Sequence, residues 1–221
     1  MLPPAAIDGE RWTREGERVF TRGITLHLER IRMKTIAPFV PSFRTPPGHF
    51  DPEATIFLRE YDRVKLRPIR EDDESRMIDF HGSLSEESVF LRYFEHISLD
   101  TRTLHERLIR VCHNTPDSLG IVAELPVGPG TSRILGIGRL TTAARPGCAD
   151  FSILVSDEAE DTKLPRLLLE RIIETARAYG FDTLTGELLV ADHPMLKLCR
   201  RNHFELHTVA EDSIVKVRLS L

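Results

Sequence analysis

One stretch, residues 147–180, restricts the possible folds of this chain more than any other. It opens with a β-branched and aromatic run over residues 150–155, which predicts a strand. An acidic loop, SDEAED, follows, and apolar residues then recur at three- and four-residue steps, which predicts a long helix. The apolar residues of this helix are Leu164, Leu167, Leu168, Ile172, Ala176 and Tyr179. Such a junction presents unpaired backbone N–H groups at the helix N-terminus, an arrangement that suits a phosphate.

Length and composition favour one globular domain with an extension. The 221 residues can form one substantial core but are few for two full domains. The net charge of -4 gives no electrostatic reason to expect a nucleic-acid partner. No apolar run approaches the roughly 20 residues that span a bilayer, and no signal-peptide pattern is present. We therefore expect no membrane partner and a cytoplasmic location.

The cysteines give no sign of a disulfide framework or a zinc site. Cys112, Cys148 and Cys199 are odd in number, scattered, and without paired CxxC spacing. We expect them to be reduced and packed in the core, and we expect no metal ion.

Residues 1–60 have the composition of an extension or linker. Prolines recur through this segment, above all in TIAPFVPSFRTPPGHFDPEA, which is too rich in them for a regular element. The segment ITLHLERIRM, residues 24–33, alternates apolar and polar side chains and is consistent with one half-buried strand. Such a strand would pair with the main domain or with a second subunit, so a monomer and a homodimer both remain open. We place the main domain at residues 61–221.

The main domain shows a regular order of elements. VKLRPI predicts a strand, and helices are predicted in EDDESRMIDF, in LSEESVFLRYF with Ser85 as N-cap, and in TRTLHERLIRVC capped by Asp100 or Thr101. LGIVAEL, SRILGIGRL and ADFSILVS are joined by short turns and predict an antiparallel meander. After the long helix, FDTLTGELLV predicts a strand parallel to the one before it. A short helix in DHPMLKLCRRN and a hairpin around Glu211 and Asp212 complete the chain.

This order resembles that of the GNAT acyltransferase superfamily, and specific strings strengthen the resemblance. Over residues 64–221, the strings VKLRPIREDDE, LSEESVFLRYF, ADFSILVSD, RLLLERIIETARAYGFDTLTGELL and PMLKLCRRNHFE are most similar to the GNAT domain of bacterial Pat-type protein lysine acetyltransferases. The resemblance implies an α/β (α+β) fold. It also implies a mixed, mostly antiparallel central sheet of about six or seven strands flanked by helices.

The resemblance further implies a reaction and a site. Acetyl-CoA or another acyl-CoA would lie where the strands before and after the long helix separate, with its pantetheine on the backbone of Leu154 and Val155. The pyrophosphate would lie at the helix N-terminus, along Lys163, Leu164 and Arg166. The acyl group would pass directly to an amine, with a protein lysine as one candidate acceptor. A carboxylate is needed as base because an ammonium group must lose a proton before it can attack.

This sequence departs from the family pattern at several of these positions. The family's glutamate base falls on Asp150, which keeps the carboxylate but shortens its reach by one methylene; the alternative is a solvent-facing acid without a role. In the phosphate loop, Glu160 replaces a glutamine or arginine, Lys163 replaces the first glycine, and Pro165 replaces the last glycine or alanine. These changes add negative charge and remove one N–H donor, although Lys163 and Arg166 add two cations. The alternative for the loop is a solvated acidic helix N-terminus.

Four more residues are candidates for the site. Asp192 stands where many relatives have an asparagine that bonds the cofactor arm. His81 matches a family histidine beside the substrate cleft, although packing or capping is the alternative. Glu187, beside the same cleft, and Glu124 lie on predicted strands and are further candidate bases.

Two main hypotheses follow. The first is an active GNAT N-acyltransferase that uses acyl-CoA and an amine acceptor, with Asp150 as base. The second is a GNAT-fold regulatory or protein-interaction module that has lost normal acyl-CoA binding, as the changes in the loop suggest. A nucleotide-binding regulator is a third reading, which has only the anion-suited helix terminus in its favour.

Overall fold

The structure is a computed structural model that describes residues 50, 51, 53–209 and 213–221. The predicted strand at residues 24–33 and the turn residues Glu211 and Asp212 lie outside these ranges. The described residues form eight strands, which in chain order are β1 Ala54–Ile56, β2 Val64–Pro68, β3 Ser118–Gly128, β4 Thr131–Thr142, β5 Cys148–Val155, β6 Thr183–Leu189, β7 Glu205–Val209 and β8 Ile214–Ser220. They also form seven helices and one 3₁₀ turn, Glu71–Asp73. The helices are α1 Glu74–Gly82, α2 Glu86–Tyr93, α3 Leu99–Arg102, α4 His105–Cys112, α5 Asp157–Glu160, α6 Leu164–Ala178 and α7 His193–Arg201.

All eight strands belong to one sheet with the order β1-β2-β3-β4-β5-β6-β8-β7. Every neighbouring pair is antiparallel except β5 and β6, which are parallel. The predicted meander, the parallel strand after the long helix and the final hairpin are thus confirmed. The sheet has eight strands, one or two more than expected. The short strand β1 lies inside the proline-rich segment, where alternation over so few residues gives no sequence signal.

Helices cover both faces of the sheet and divide the core in two. On one face, α6 and α7 pack against apolar side chains of β5 and β6 such as Phe151 and Leu184. On the other face, α1, α2 and α4 cover Ile137 and Leu154. Because side chains alternate along a strand, neighbouring residues of β5 contribute to opposite layers. We refer below to the face covered by α1, α2 and α4 as the α1–α4 face.

The long helix α6 lies close to the centre of the sheet. A Cβ on Gly138 of β4 would come within 2.9 Å of the Ile172 side chain, so only glycine allows this approach. Pro165 lies in the first helical turn, where its missing N–H costs nothing within the helix. Gly180, with φ of 78°, follows the helix and redirects the chain into β6. The predicted helix is confirmed.

Two predicted elements differ from the structure. The segment TRTLHERLIRVC is not one helix but two, α3 and α4, and Ser98 caps α3 by accepting the Thr101 N–H at 3.3 Å. The break follows Thr103, whose hydroxyl donates to the Leu99 carbonyl at 2.8 Å and so competes with continuation of the helix. The acidic loop SDEAED contains a helical turn, α5, which buries Ala159 against α6.

The cysteines and the helices agree with a packed globular domain. Cys112, Cys148 and Cys199 are buried and form no disulfide. None of the helices in the described ranges has the length and apolarity that a membrane crossing requires. Among the same residues, no group of three or more His, Cys, Asp and Glu side chains is arranged to hold a metal ion.

Candidate active site

A cleft opens in the sheet where β5 and β6 separate. The two strands share three residue pairs, Cys148 with Thr183, Ala149 with Leu184, and Asp150 with Thr185. Beyond Asp150, β5 pairs with β4 alone and β6 pairs with β8 alone among the strands that the structure describes. The cleft therefore begins directly after Asp150, between two strands that each keep one edge without a partner strand.

Asp150 lies at the narrow end of this cleft with an exposed side chain. Its neighbours in the register are Thr141 on β4 and Thr185 on β6. The Thr185 hydroxyl lies 2.5 Å from Asp150 Oδ1 and donates to it. The carboxylate is thus oriented by one short hydrogen bond, and its remaining lone pairs are available to another donor.

The backbone of β5 offers hydrogen-bonding groups to the cleft at alternate residues. The Ser156 N–H donates to the Leu135 carbonyl of β4 at 2.8 Å, so residues of even number along β5 direct their peptide groups toward β4. Ile153 and Val155 therefore direct their N–H and C=O groups into the cleft. The peptide groups of Leu154 face β4 and its side chain is buried on the α1–α4 face, which does not favour the backbone contact predicted for Leu154. Contact of pantetheine with either Leu154 or Val155 remains a prediction.

The start of α6 has few backbone donors left for a phosphate. The Leu164 N–H donates to the Thr162 hydroxyl at 3.0 Å, and the Leu167 N–H donates to the Lys163 carbonyl. Pro165 has no N–H, so Arg166 is the first-turn residue whose N–H has no acceptor among the described residues. The missing N–H donor at Pro165 is predictable from the sequence, whereas the hydrogen bond from the Leu164 N–H to the Thr162 hydroxyl is not.

Two cations stand at this helix terminus, as expected. Lys163 and Arg166 are both exposed. Arg166 forms an ion pair with Glu170 one turn along the helix at 3.2 Å, whereas Lys163 forms none with the described residues. Lys163 is therefore the more available of the two for an incoming phosphate.

The acidic turn α5 binds the N-terminus of α2. The Ser85 N–H and the Ser88 hydroxyl donate to the two carboxylate oxygens of Asp157, at 2.9 and 2.7 Å, and Ser88 Oγ also lies 2.9 Å from Glu160 Oε1. Partial burial raises the pKa of Glu160, and the nearby charges of Asp157 and Asp192 raise it further against the bond to Ser88. The acids of the loop thus hold two elements together, and solvation is only part of their role.

Asp192 has a capping role in the structure. Its Oδ1 accepts the Met195 N–H at 3.0 Å, which makes it the N-cap of α7. Burial raises the pKa of its carboxyl, against the effect of this bond. Contact of Asp192 with a cofactor arm remains a prediction.

The two further candidate bases differ in their surroundings. Glu187 lies two residues after Thr185 on β6, so it shares the face of Asp150, and it is 3.7 Å from Lys216. Glu124 is bound to Arg67 at 2.7 Å and to the Ser132 hydroxyl at 2.6 Å. The bond from Arg67 lowers the pKa of Glu124 to about 2, so Glu124 is too weak a base for this role.

His81 is buried at the end of α1 and has no opening to solvent. Its side chain is 2% exposed, and its Nδ1 has no hydrogen-bond partner among the described residues. Burial and, to a smaller extent, the charges of Arg102, Arg107 and Arg92 lower its pKa to about 4. The imidazole is therefore neutral at pH 7 and packs beside Phe80.

Replacing His81 by phenylalanine is expected to reduce the fall in the free energy of unfolding that accompanies a change from pH 7 to pH 5. The folded pKa of about 4 lies below the ordinary value of 6.5, so between these values the unfolded chain binds more protons than the folded protein. The free energy of unfolding therefore falls as the pH is lowered, by up to about 2 kcal/mol from pH 7 to pH 5. Urea unfolding at both pH values measures the difference. The exposed residue His207 supplies the control His207→Gln, and an equal fall in wild type and His81→Phe would contradict the expectation.

Comparison with known proteins agrees with this architecture. No family model matches the chain. An acetyltransferase of Pseudomonas aeruginosa is 26% identical to it over 136 residues, which make up 62% of this chain and 72% of that protein. The GNAT domain of S. lividans PAT superposes with a TM-score of 0.65 at 24% identity, covering 78% of this chain and 100% of that one.

A third relative supports the same fold. An acetyltransferase of the GNAT family from Streptococcus pneumoniae has a TM-score of 0.53 and 17% identity, and the match covers 72% of this chain and 99% of that one. The eight-stranded sheet with its cleft beside Asp150 thus has the GNAT fold.

Proposed function

We propose that this chain is an N-acyltransferase that moves an acetyl or other acyl group from acyl-CoA to an amine, with Asp150 as base. The observation that carries the proposal is the position of Asp150. Its exposed carboxylate lies at the point where β5 and β6 part, held by the Thr185 hydroxyl. The names of the similar acetyltransferases support the same type of reaction.

In the proposed reaction each group of the site has one step. Asp150 would take a proton from the ammonium group, directly or through a water molecule, and the free amine would attack the thioester carbonyl carbon. The new C–N bond forms and the carbonyl oxygen becomes an oxyanion. The C–S bond then breaks, and the thiolate of CoA leaves and takes up the second proton that the attacking nitrogen loses as it becomes an amide. The Ile153 and Val155 N–H groups face the cleft and supply candidate donors for the pantetheine and for the oxyanion.

The phosphate loop supports weaker binding of CoA than a glycine-rich loop would give. One N–H of the first turn is available, at Arg166, and Lys163 supplies an exposed charge beside it. We expect saturable binding of acetyl-CoA with a Kd below about 1 mM, weakened about three- to tenfold in Lys163→Gln because one charge-assisted bond is lost. Calorimetric titration with acetyl-CoA and free CoA measures both values.

The matched control for this titration is Lys197→Gln, since Lys197 is an exposed lysine on α7. An equal Kd in wild type and Lys163→Gln would remove Lys163 from the cofactor site. No heat at millimolar concentrations of either ligand would overturn the acyltransferase.

A second function is favoured by one observation: two acidic side chains of the phosphate loop are already hydrogen-bonded to α2. Asp157 and Glu160 both contact Ser88 of α2, so they hold negative charge where a diphosphate would have to bind. A GNAT-fold regulatory or protein-interaction module without acyl-CoA turnover accounts for this arrangement. The same titration separates the two functions, because such a module would bind neither ligand.

A further inference from the structure

Four arginines from four elements lie near Tyr93 or His81 on the α1–α4 face. Arg92, Arg102 and Arg107 belong to α2, α3 and α4, and Arg139 belongs to β4. The Cζ atoms of Arg92 and Arg107 each lie 5.1 Å from the centre of the Tyr93 ring. We call these four residues the arginine cluster.

The cluster reaches the strand that carries Asp150. Arg92 donates to the Ser152 hydroxyl at 2.8 Å, and Arg139 is the register partner of Ser152 on β4. Ser152 lies two residues after Asp150, so the two side chains leave the same face of β5 about 7 Å apart. The cluster is therefore next to the proposed base, on the face opposite α6.

The arginine cluster has no ion-pair partner among the described residues. None of its four members forms an ion pair there, in contrast with the buried Arg67, which binds both Asp73 and Glu124. Burial and, to a smaller extent, the charge of Arg92 lower the pKa of Arg139 to about 10. Burial also lowers the pKa of Arg92, and the charge of Arg107 adds to that effect. Like charges held together in a partly buried place favour the arrival of an anion.

Hydrogen-bond donors also remain unused in the cluster. A guanidinium group has five N–H donors. Arg107 makes no side-chain hydrogen bond to the described residues, and Arg92 makes the one to Ser152. Arg102 is only 6% exposed; it donates to the His81 carbonyl at 3.0 Å, while its buried Nε has no partner among these residues. A planar guanidinium group with free N–H donors can form two parallel hydrogen bonds to the oxygens of a carboxylate or a phosphate.

We propose that the arginine cluster binds an anionic group, a carboxylate or a phosphate, that is carried by the amine acceptor itself. This inference rests on the proposed acyltransferase, because it concerns the acceptor side of the same site. The amine would lie at Asp150 and the anion at Arg92 and Arg107, a few Å farther along β5. The acceptor is thus either a small amine that bears an acid group or a peptide amine beside an acidic side chain.

Anion binding can be tested without turnover. Calorimetric titration of the full chain with inorganic phosphate should show saturable binding that weakens at least about tenfold in Arg107→Gln and in Arg92→Gln. Arg107→Gln is the safer variant for folding because the Arg107 side chain makes no hydrogen bond to any residue that the structure describes. Arg110→Gln is the matched control, an exposed arginine on the same helix, and should stay within about twofold of wild type. Equal phosphate affinity in wild type and Arg107→Gln would overturn the proposal.

Acceptor kinetics give the second arm of the test. Each acceptor with a carboxylate is compared with its amide, either as a free amino acid or as a lysine peptide in which aspartate is exchanged for asparagine. The acid should have a kcat/KM at least about tenfold higher in wild type, and the ratio should fall to near one in Arg107→Gln. The arm that shows the difference identifies the source of the anion, and equal rates for acid and amide in both arms overturn the proposal.

The affinity for acetyl-CoA tests whether the arginine cluster belongs to the acceptor site or to the cofactor site. It should be unchanged within about twofold in Arg107→Gln, because the cluster lies on the acceptor face. A large loss of acetyl-CoA affinity would assign the cluster to the cofactor and overturn the inference. If no acceptor is turned over but phosphate binding is lost in Arg107→Gln and kept in Arg110→Gln, the acyltransferase fails while the anion site stands.

Discussion

Replacing Asp150 by asparagine is expected to lower kcat by about 10²- to 10⁴-fold, with little change in the affinity for acetyl-CoA. Asparagine has the same size and can still accept the bond from the Thr185 hydroxyl, but its amide cannot take up the proton that the acceptor ammonium must lose. Steady-state rates with a saturating amine measure kcat, and calorimetry measures the affinity. An unchanged kcat would remove Asp150 from the role of base.

Two further variants make this result specific to Asp150. Glu187→Gln neutralises an exposed carboxylate on the same face of the sheet and should change kcat by less than about threefold. Asp150→Glu restores the longer side chain implied by the resemblance to GNAT proteins and should retain a large part of the activity. If Glu187→Gln lost as much activity as Asp150→Asn, the base would have to be assigned to Glu187.

The second large effect is expected at a buried ion cluster formed by Arg67 of β2, Asp73 of the 3₁₀ turn and Glu124 of β3. Replacing Asp73 by alanine should lower the free energy of unfolding by about 3–5 kcal/mol. Asp73 is fully buried and accepts two bonds from Arg67, at 2.7 and 2.8 Å, and the Arg70 N–H at 2.8 Å. Without it, Arg67, whose side chain is 1% exposed, keeps its charge with Glu124 as its one remaining carboxylate partner among the described residues. Urea unfolding at pH 7 measures the loss.

The neighbouring residue Asp72 provides the control. Its side chain is 76% exposed and lies 3.7 Å from Arg76, so Asp72→Ala should cost less than about 0.5 kcal/mol. A triple variant, Arg67→Met with Asp73→Asn and Glu124→Gln, removes the charges of these three residues and should be more stable than Asp73→Ala alone. A loss below about 1 kcal/mol in Asp73→Ala would show that the cluster contributes little to stability.

The sequence predicts the order of elements well because the relevant signals are local. Alternation over β3, β4 and β5 and the helical spacing of Leu164, Leu168 and Ile172 need only neighbouring residues. The resemblance predicts a cleft between these two strands and a carboxylate at Asp150, but not that the parallel pairing ends at Asp150, because periodicity alone does not say where two strands part. The break between α3 and α4 depends on the side-chain bond of Thr103, which has no strong composition signal.

The polar contacts that shape the site are not readable from the chain because they join distant residues. Ser88 and Asp157 are 69 positions apart, and Arg67 and Glu124 are 57 apart. The arginine cluster is likewise assembled from helices and a strand that the sequence shows only as scattered charges. Leu154 illustrates a finer limit, since a shift of one residue along a strand decides whether a peptide group faces the cleft or the neighbouring strand.

The short parallel pairing of β5 and β6 also bears on the motions of the molecule. Its three residue pairs are the hydrogen-bonded connection between strands β1 to β5 and the group β6, β8 and β7 in the described part of the sheet. A ligand seated across the divergence adds contacts between these two groups and therefore stabilises their joint, by an amount set by its concentration relative to its Kd. Occupancy of the cleft and amide exchange at Thr183 and Thr185 are consequently linked quantities, and a change in one is a measure of the other.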